Sequence, residues 1–133
     1  MTSERTDPCP FCQLNMVSKI LETWGTALAI EDKNPVTKGH TLVLPIRHTQ
    51  DFFSMTCEEK KDADNLIQLL CGRIQESDST VTGFNIGVNC GESAGQTIMH
   101  AHIHLIPRRD GDMPQPEGGV RGVIPEKRKY VDR

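Results

Sequence analysis

The chain lacks any apolar run near the roughly 20 residues that a bilayer-spanning helix needs, so no transmembrane segment is expected in its 133 residues. Its opening, MTSERTDPCPF, is polar and acidic and has none of the apolar stretch of a secretory leader, which predicts a cytoplasmic protein. An even set of cysteines is also missing. The five present, Cys9, Cys12, Cys57, Cys71 and Cys90, argue against a disulfide framework in a chain with that expected location. No internal repeat and no linker-like stretch is found, so one domain spanning 1–133 is expected, with 110–133 as an irregular tail. A broad basic face is absent too. Net charge is −3, and residues 1–107 carry 8 basic against 13 acidic side chains, a poor footprint for duplex nucleic acid. Only residues 108–133, with 7 basic against 5 acidic, lean positive, enough for a small anion at most.

What is present reads as five short strands and one long helix. Residues 17–23 and 26–31 are β-prone and flank Trp24-Gly25, a hairpin turn. Turn chemistry fills 32–39, and HTLVLP at 40–45 is a third strand ended by Pro45. One helical turn is expected at 51–55. Thr56-Cys57-Glu58-Glu59 has the form of a capping box, after which Ala63, Leu66, Ile67, Leu70 and Ile74 recur at helical spacing, predicting a helix over 57–77. Residues 83–88 and 99–107 are the fourth and fifth strands. With one helix among five strands, the sheet is expected to be antiparallel and the fold α+β.

The chemistry concentrates in GQTIMHAHIHLIPRR, residues 95–109. His100, His102 and His104 take every second position, so on a strand all three face one side while Ala101, Ile103 and Leu105 face the core. Steps of about 6.5–7 Å along a strand are too wide for three rings on one small atom but suit a phosphoryl group and its oxygens. The middle imidazole, His102, is best placed as a nucleophile, provided its second nitrogen keeps a proton that a carbonyl accepts. Zinc bound by three histidines, and a purely structural row, are the competing readings of the pentapeptide. The loop NCGESAGQT runs straight into it. Its glycines offer backbone N–H groups to an anion, and Asn89, Ser93, Gln96 and Thr97 add uncharged donors.

With AGQTIMHAHIHLIPR, NPVTKGHTLVLP and CPFC in place, residues 9–109 resemble the histidine triad family of nucleotide hydrolases and transferases. The resemblance implies a five-stranded antiparallel sheet with one long helix and a short N-terminal helix, in a homodimer. It implies nucleotidyl transfer to His102 followed by hydrolysis. His104 would contact the phosphate and His100 would flank the site. Asn89 and Thr97 would hold the phosphate or help the leaving group, Asp32 would receive the ribose hydroxyls, and His40 would lie beneath the site. Two local alternatives stay open: Asp32 as a turn former before Asn34-Pro35, and His40 as a core histidine. Histidine rather than glutamine at 104 favours hydrolysis over transfer. Gly95-Gln96-Thr97 is similar to the dinucleoside-polyphosphate branch. A nucleoside phosphoramidase and a nucleotide-binding regulator with little turnover are the alternatives.

Cys9-Pro10-Phe11-Cys12 has the spacing of a metal knuckle. With no second such pair, His48 and His100 are the candidates to complete it, as in family members that bind zinc through the first triad histidine. Four filled positions would make a structural Zn²⁺ rather than a catalytic one. A redox pair, or two ordinary thiols, are the competing readings. In the tail, Arg121 is a candidate for a distal phosphate or a second nucleoside.

Overall fold

The computed structural model describes residues 9–12 and 19–131. Five strands, β1 (Ile20–Trp24), β2 (Ala27–Glu31), β3 (Thr41–Pro45), β4 (Val81–Gly87) and β5 (Ile103–Arg109), form one sheet in the order β1-β2-β3-β5-β4. Every pairing is antiparallel, and the one long helix, α1 (Cys57–Ser77), packs on one face, so the fold is α+β. The expected short N-terminal helix falls outside the described residues. Among the described residues no helix is long and apolar enough to cross a membrane.

Helix α1 begins where its sequence signal lies. The Thr56 side chain accepts from the Glu59 N–H at 3.0 Å, and the Glu59 carboxylate accepts from the Thr56 N–H at 2.8 Å, so two orphan donors are satisfied reciprocally. Glu59 is also gripped by the Arg47 fork at 2.9 Å on each oxygen, which holds its carboxyl below the usual range. Ala63, Leu66, Ile67 and Leu70 pack onto Ala27, Ala29, Val43, Ala101, Ile103 and Leu105. Strand alternation then sends Leu28, Ile30, Leu42 and Leu44 to the opposite face, where a second apolar layer forms with Cys9 and Phe11. The functional residues collect on this helix-free face.

The β1–β2 hairpin turns at Gly25, whose φ is +56°, and a Cβ there would collide with the Asp62 carboxylate. That carboxylate accepts from both the N–H and the hydroxyl of Thr26, at 2.8 and 2.7 Å, and ties the turn to α1.

The fifth strand departs from expectation. It starts at Ile103, not 99, so His100 and His102 precede the ladder. Pro45 explains this. Continued past the Val43↔Ile103 pair, the register sets Leu44 opposite His102 and Pro45 opposite Ala101; Pro45 has no N–H to donate, and its carbonyl is taken by the His100 ring at 2.9 Å. The Ala101 N–H turns instead to the Thr49 carbonyl at 2.8 Å.

Candidate active site

The three triad histidines divide between two sites. His100 is fully buried; its Nε2 bonds the Pro45 carbonyl and its Nδ1 faces Cys9 Sγ at 3.5 Å and Cys12 Sγ at 4.0 Å. Its ring is turned toward the cysteines and is absent from the cavity wall that His102 and His104 line, so the three imidazoles do not form the single exposed stripe expected. His104 instead has His40, from the end of the β2–β3 loop, as its second neighbour, with ring centroids 5.2 Å apart and 5.4 Å from His104 to His102.

Hydrogen-bond logic fixes each ring's tautomer, because a carbonyl only accepts and a backbone N–H only donates. The His102 Nδ1 lies 2.8 Å from the His100 carbonyl, so Nδ1 carries the proton and Nε2 keeps its lone pair. The His40 Nδ1 accepts from the Val36 N–H at 3.0 Å, so its proton is on Nε2. That proton is donated to His104 Nδ1 at 2.9 Å, with Asp32 Oδ2 3.3 Å away. His104 Nδ1 is then an acceptor, and its proton sits on Nε2. The pair is thus a donor relay resting on one backbone amide. Burial pushes both His40 and His104 below the ordinary histidine value; for His104 the neighbouring His102 and His40 add to this and Asp32 opposes it. Both rings are held neutral. Asp32, His40 and His104 converge closely enough to suggest a metal, but a protonated His40 Nε2 has no lone pair to give one.

A cleft of about 920 Å³ opens beside these rings. Its floor is His102, which is only 8% exposed but lines the space together with Phe11, Asp32, Asn89, Thr97 and His104. Both readings of Asp32 find an atom: Oδ1 accepts the Asn34 N–H at 2.7 Å and forms the turn, while Oδ2 faces the imidazoles. Two expected ligand donors lie elsewhere. Ser93 is exposed and absent from the cleft wall. Gln96 is buried, and its amide is consumed: Oε1 accepts from the Gly91 N–H, and Nε2 donates to the Gln50 and Ile98 carbonyls at 2.7 and 3.0 Å. It shapes the glycine loop rather than facing a ligand. Gly95, with φ +95°, turns that loop into the cleft. Arg121 stacks over the Tyr130 ring at 4.9 Å and does not line this cleft.

Phe11 went unremarked in the sequence except as a spacer between two cysteines. Its ring stands edge-on to His102, with centroids 5.0 Å apart, and forms part of the wall. Val36 gave no signal either, because its role is carried by its backbone.

Behind His102, Cys9, Cys12, His48 and His100 bring one donor atom each within 4.8 Å of one another. Cys12 Sγ lies 3.5 Å from His48 Nδ1, the same separation as Cys9 from His100. A tetrahedral zinc with Zn–S of about 2.3 Å and Zn–N of about 2.0–2.1 Å has an S–N edge of about 3.6 Å. With His100 Nε2 protonated toward Pro45, its Nδ1 lone pair points at the cysteines. The donor set fits a metal.

Known proteins agree with this architecture. A zinc-bound histidine triad family protein from Mycobacterium smegmatis superposes with a TM-score of 0.70 at 32% identity, covering 86% of this chain and 89% of that one. An uncharacterized HIT-like protein of Mycobacterium tuberculosis strain H37Rv is 38% identical over 109 residues, 79% of this chain and 74% of that protein. The adenylylsulfatase HINT3 of Arabidopsis thaliana is 32% identical over 121 residues, 84% of this chain and 57% of that protein. The HIT domain profile matches residues 13–111, most of the length and all of the triad, so the chain belongs to the HIT domain family.

Proposed function

We propose that this chain is a nucleotidyl hydrolase that cleaves dinucleoside polyphosphates, such as diadenosine tetraphosphate, at the α-phosphate through a covalent nucleotidyl-His102. The observation that carries the reading is the His102 tautomer: Nδ1–H is held by the His100 carbonyl, leaving the Nε2 lone pair at the floor of the cleft. In the first step that lone pair forms a P–N bond while the bridging P–O bond breaks, and the electron pair stays on the departing phosphate chain. In the second step water attacks phosphorus, the P–N bond breaks and its pair returns to Nε2. Nucleoside monophosphate leaves, and the water's protons divide between product and solvent. His104 Nε2–H stabilises a phosphoryl oxygen, Asn89 and Thr97 hold the phosphate, and Asp32 receives the ribose hydroxyls.

The neutral His40–His104 relay favours a leaving group that departs without a proton. A phosphate chain does; an amine does not, and a neutral imidazole is a poor acid. On this ground we rank anhydrides ahead of phosphoramidates. One second reading is specifically favoured, adenylyl sulfate, because a similar relative is named an adenylylsulfatase and sulfate also leaves unprotonated.

Cys9, Cys12, His48 and His100 would hold a structural zinc ion, which when bound would clamp the knuckle to the triad segment without touching substrate. The reading also carries a homodimer, checked by sedimentation equilibrium at twice 14.8 kDa.

Rank-ordering kcat/KM on diadenosine tetraphosphate, adenylyl sulfate and an AMP–amine phosphoramidate tests the substrate. The dinucleotide is expected first and the phosphoramidate last. A phosphoramidate preference would overturn the leaving-group argument.

A further inference from the structure

The nucleophile sits on backbone that the sheet does not hold. His100 and His102 precede the β5 ladder, and residues 96–101 are fixed instead by bonds to the chain just beyond β3. The His100 ring meets the Pro45 carbonyl at 2.9 Å, the Ala101 N–H donates to the Thr49 carbonyl at 2.8 Å, and Gln96 Nε2 donates to the Gln50 carbonyl at 2.7 Å. All of these acceptors belong to one stretch, residues 45–50. His48 lies in it too, with its ring centroid 5.0 Å from that of His100. Since the His100 carbonyl holds His102 Nδ1, the aim of His102 depends on where this stretch sits.

What places the stretch is Arg47. Its guanidinium is half exposed, yet Nε and Nη2 reach the buried Glu59 carboxylate at 2.9 Å each, and Nη2 also donates to the Ser54 carbonyl at 3.2 Å. The Thr49 hydroxyl donates to Ser54 Oγ at 2.6 Å on the same side. Glu59 in turn is part of the capping box that opens α1. An exposed ion pair contributes little to a fold. This one differs in that its carboxylate is buried, so losing the partner strands a charge. A two-toothed fork also accepts only one mutual orientation. Arg47 therefore carries the position of α1 to the carbonyls that hold the triad segment, although it does not line the cleft.

We infer that Arg47 is a positioning residue: its fork on Glu59 sets the 45–50 carbonyls, and through them the approach of His102 Nε2 to phosphorus. The kinetic part of the test rests on the functional reading above; the exchange part does not. Arg47→Ala would strand the buried carboxylate and endanger folding, so the full chain is compared with Arg47→Lys, Glu59→Gln and the double variant. Lysine keeps the charge and loses the fork. Glutamine keeps the cap on Thr56 and offers the fork a single oxygen. Amide hydrogen exchange is read by NMR under native conditions. Exchange at Ala101 is expected to quicken about tenfold in each single variant, as loss of a charge-assisted bond allows, while amides of the β2–β3 ladder stay unchanged. On whichever of the three substrates is turned over, kcat is expected to fall about tenfold with KM little changed, well short of the hundredfold that a 1 Å misplacement costs. The double variant should fall no further than either single one, because both break the same fork. Ala101 exchange that is unchanged, or raised equally at every amide, overturns the inference. So does an unchanged kcat in both single variants. A selective Ala101 response in a protein that hydrolyses none of the substrates overturns the hydrolase reading and leaves the brace standing.

Discussion

Each imidazole in this site has one nitrogen spoken for by the backbone or by a neighbour, and the other nitrogen defines its use. His102 is spoken for by the His100 carbonyl, and His40 by the Val36 amide, with consequences for His104. Replacing His40 by Leu deletes the Nε2–H that fills His104 Nδ1 and frees His104 to take the other tautomer. We expect kcat to fall about 10- to 100-fold, toward the lower end of acid–base effects, with KM little changed; steady-state kinetics checks this. The same neutral pair makes a pH prediction. Both rings titrate below their unfolded value of 6.5 in the folded protein. As pH falls through that value the unfolded chain binds protons that the folded one does not, so stability declines below about pH 6.5 and is fully present above it. Urea midpoints from pH 5 to 8 should show this slope, reduced in His104→Gln.

Among the elements, α1 was legible to the residue because two independent signals coincide: the Thr56/Glu59 box at its start and an apolar stripe along it. Thr56→Ala should cost about 1 kcal/mol and Leu66→Ala about 2–5 kcal/mol, both measurable by denaturant unfolding. Gly25→Ala should also destabilise, since the position combines positive φ with the Asp62 carboxylate. Strand β5 was less legible at its start. The alternation of His and apolar residues reads as strand from 99 onward, but the ladder depends on a partner, and the register runs on to Pro45 opposite Ala101, where there is no N–H to donate. The same proline carbonyl turns His100 out of the row. Periodicity reports which face a residue prefers; it does not report which backbone groups remain to pair. Gln96 shows the complementary limit. A polar residue in a glycine loop reads as a ligand donor, yet its amide is the loop's own brace, a role visible only once Gln50 and Ile98 are brought near.

Across the whole molecule, the sheet separates structure from chemistry: α1 and the larger core on one face, the cleft and the cysteine–histidine cluster on the other. The sequence reading already separated a nucleophile candidate, His102, from a metal-ligand candidate, His100; what needed the fold was the burial that keeps the His100 ring among the cysteines. Cys9 and Cys12 are 36 or more residues from His48 and His100 in sequence, and the sheet brings all four together. One zinc per chain is expected by elemental analysis of purified protein, falling to near zero in Cys12→Ser. Thermal unfolding should shift downward in that variant, because a bound metal would tie the knuckle to the segment that presents His102.

The most direct test of the central claim is to trap the intermediate. Wild-type protein mixed with diadenosine tetraphosphate, quenched within one turnover at alkaline pH to preserve a phosphoramidate, and digested for mass spectrometry should yield an adenylyl group on the peptide containing His102, localised to that ring and absent from His102→Ala. Turnover with the adenylyl group on another residue, or undiminished turnover in His102→Ala, would contradict it.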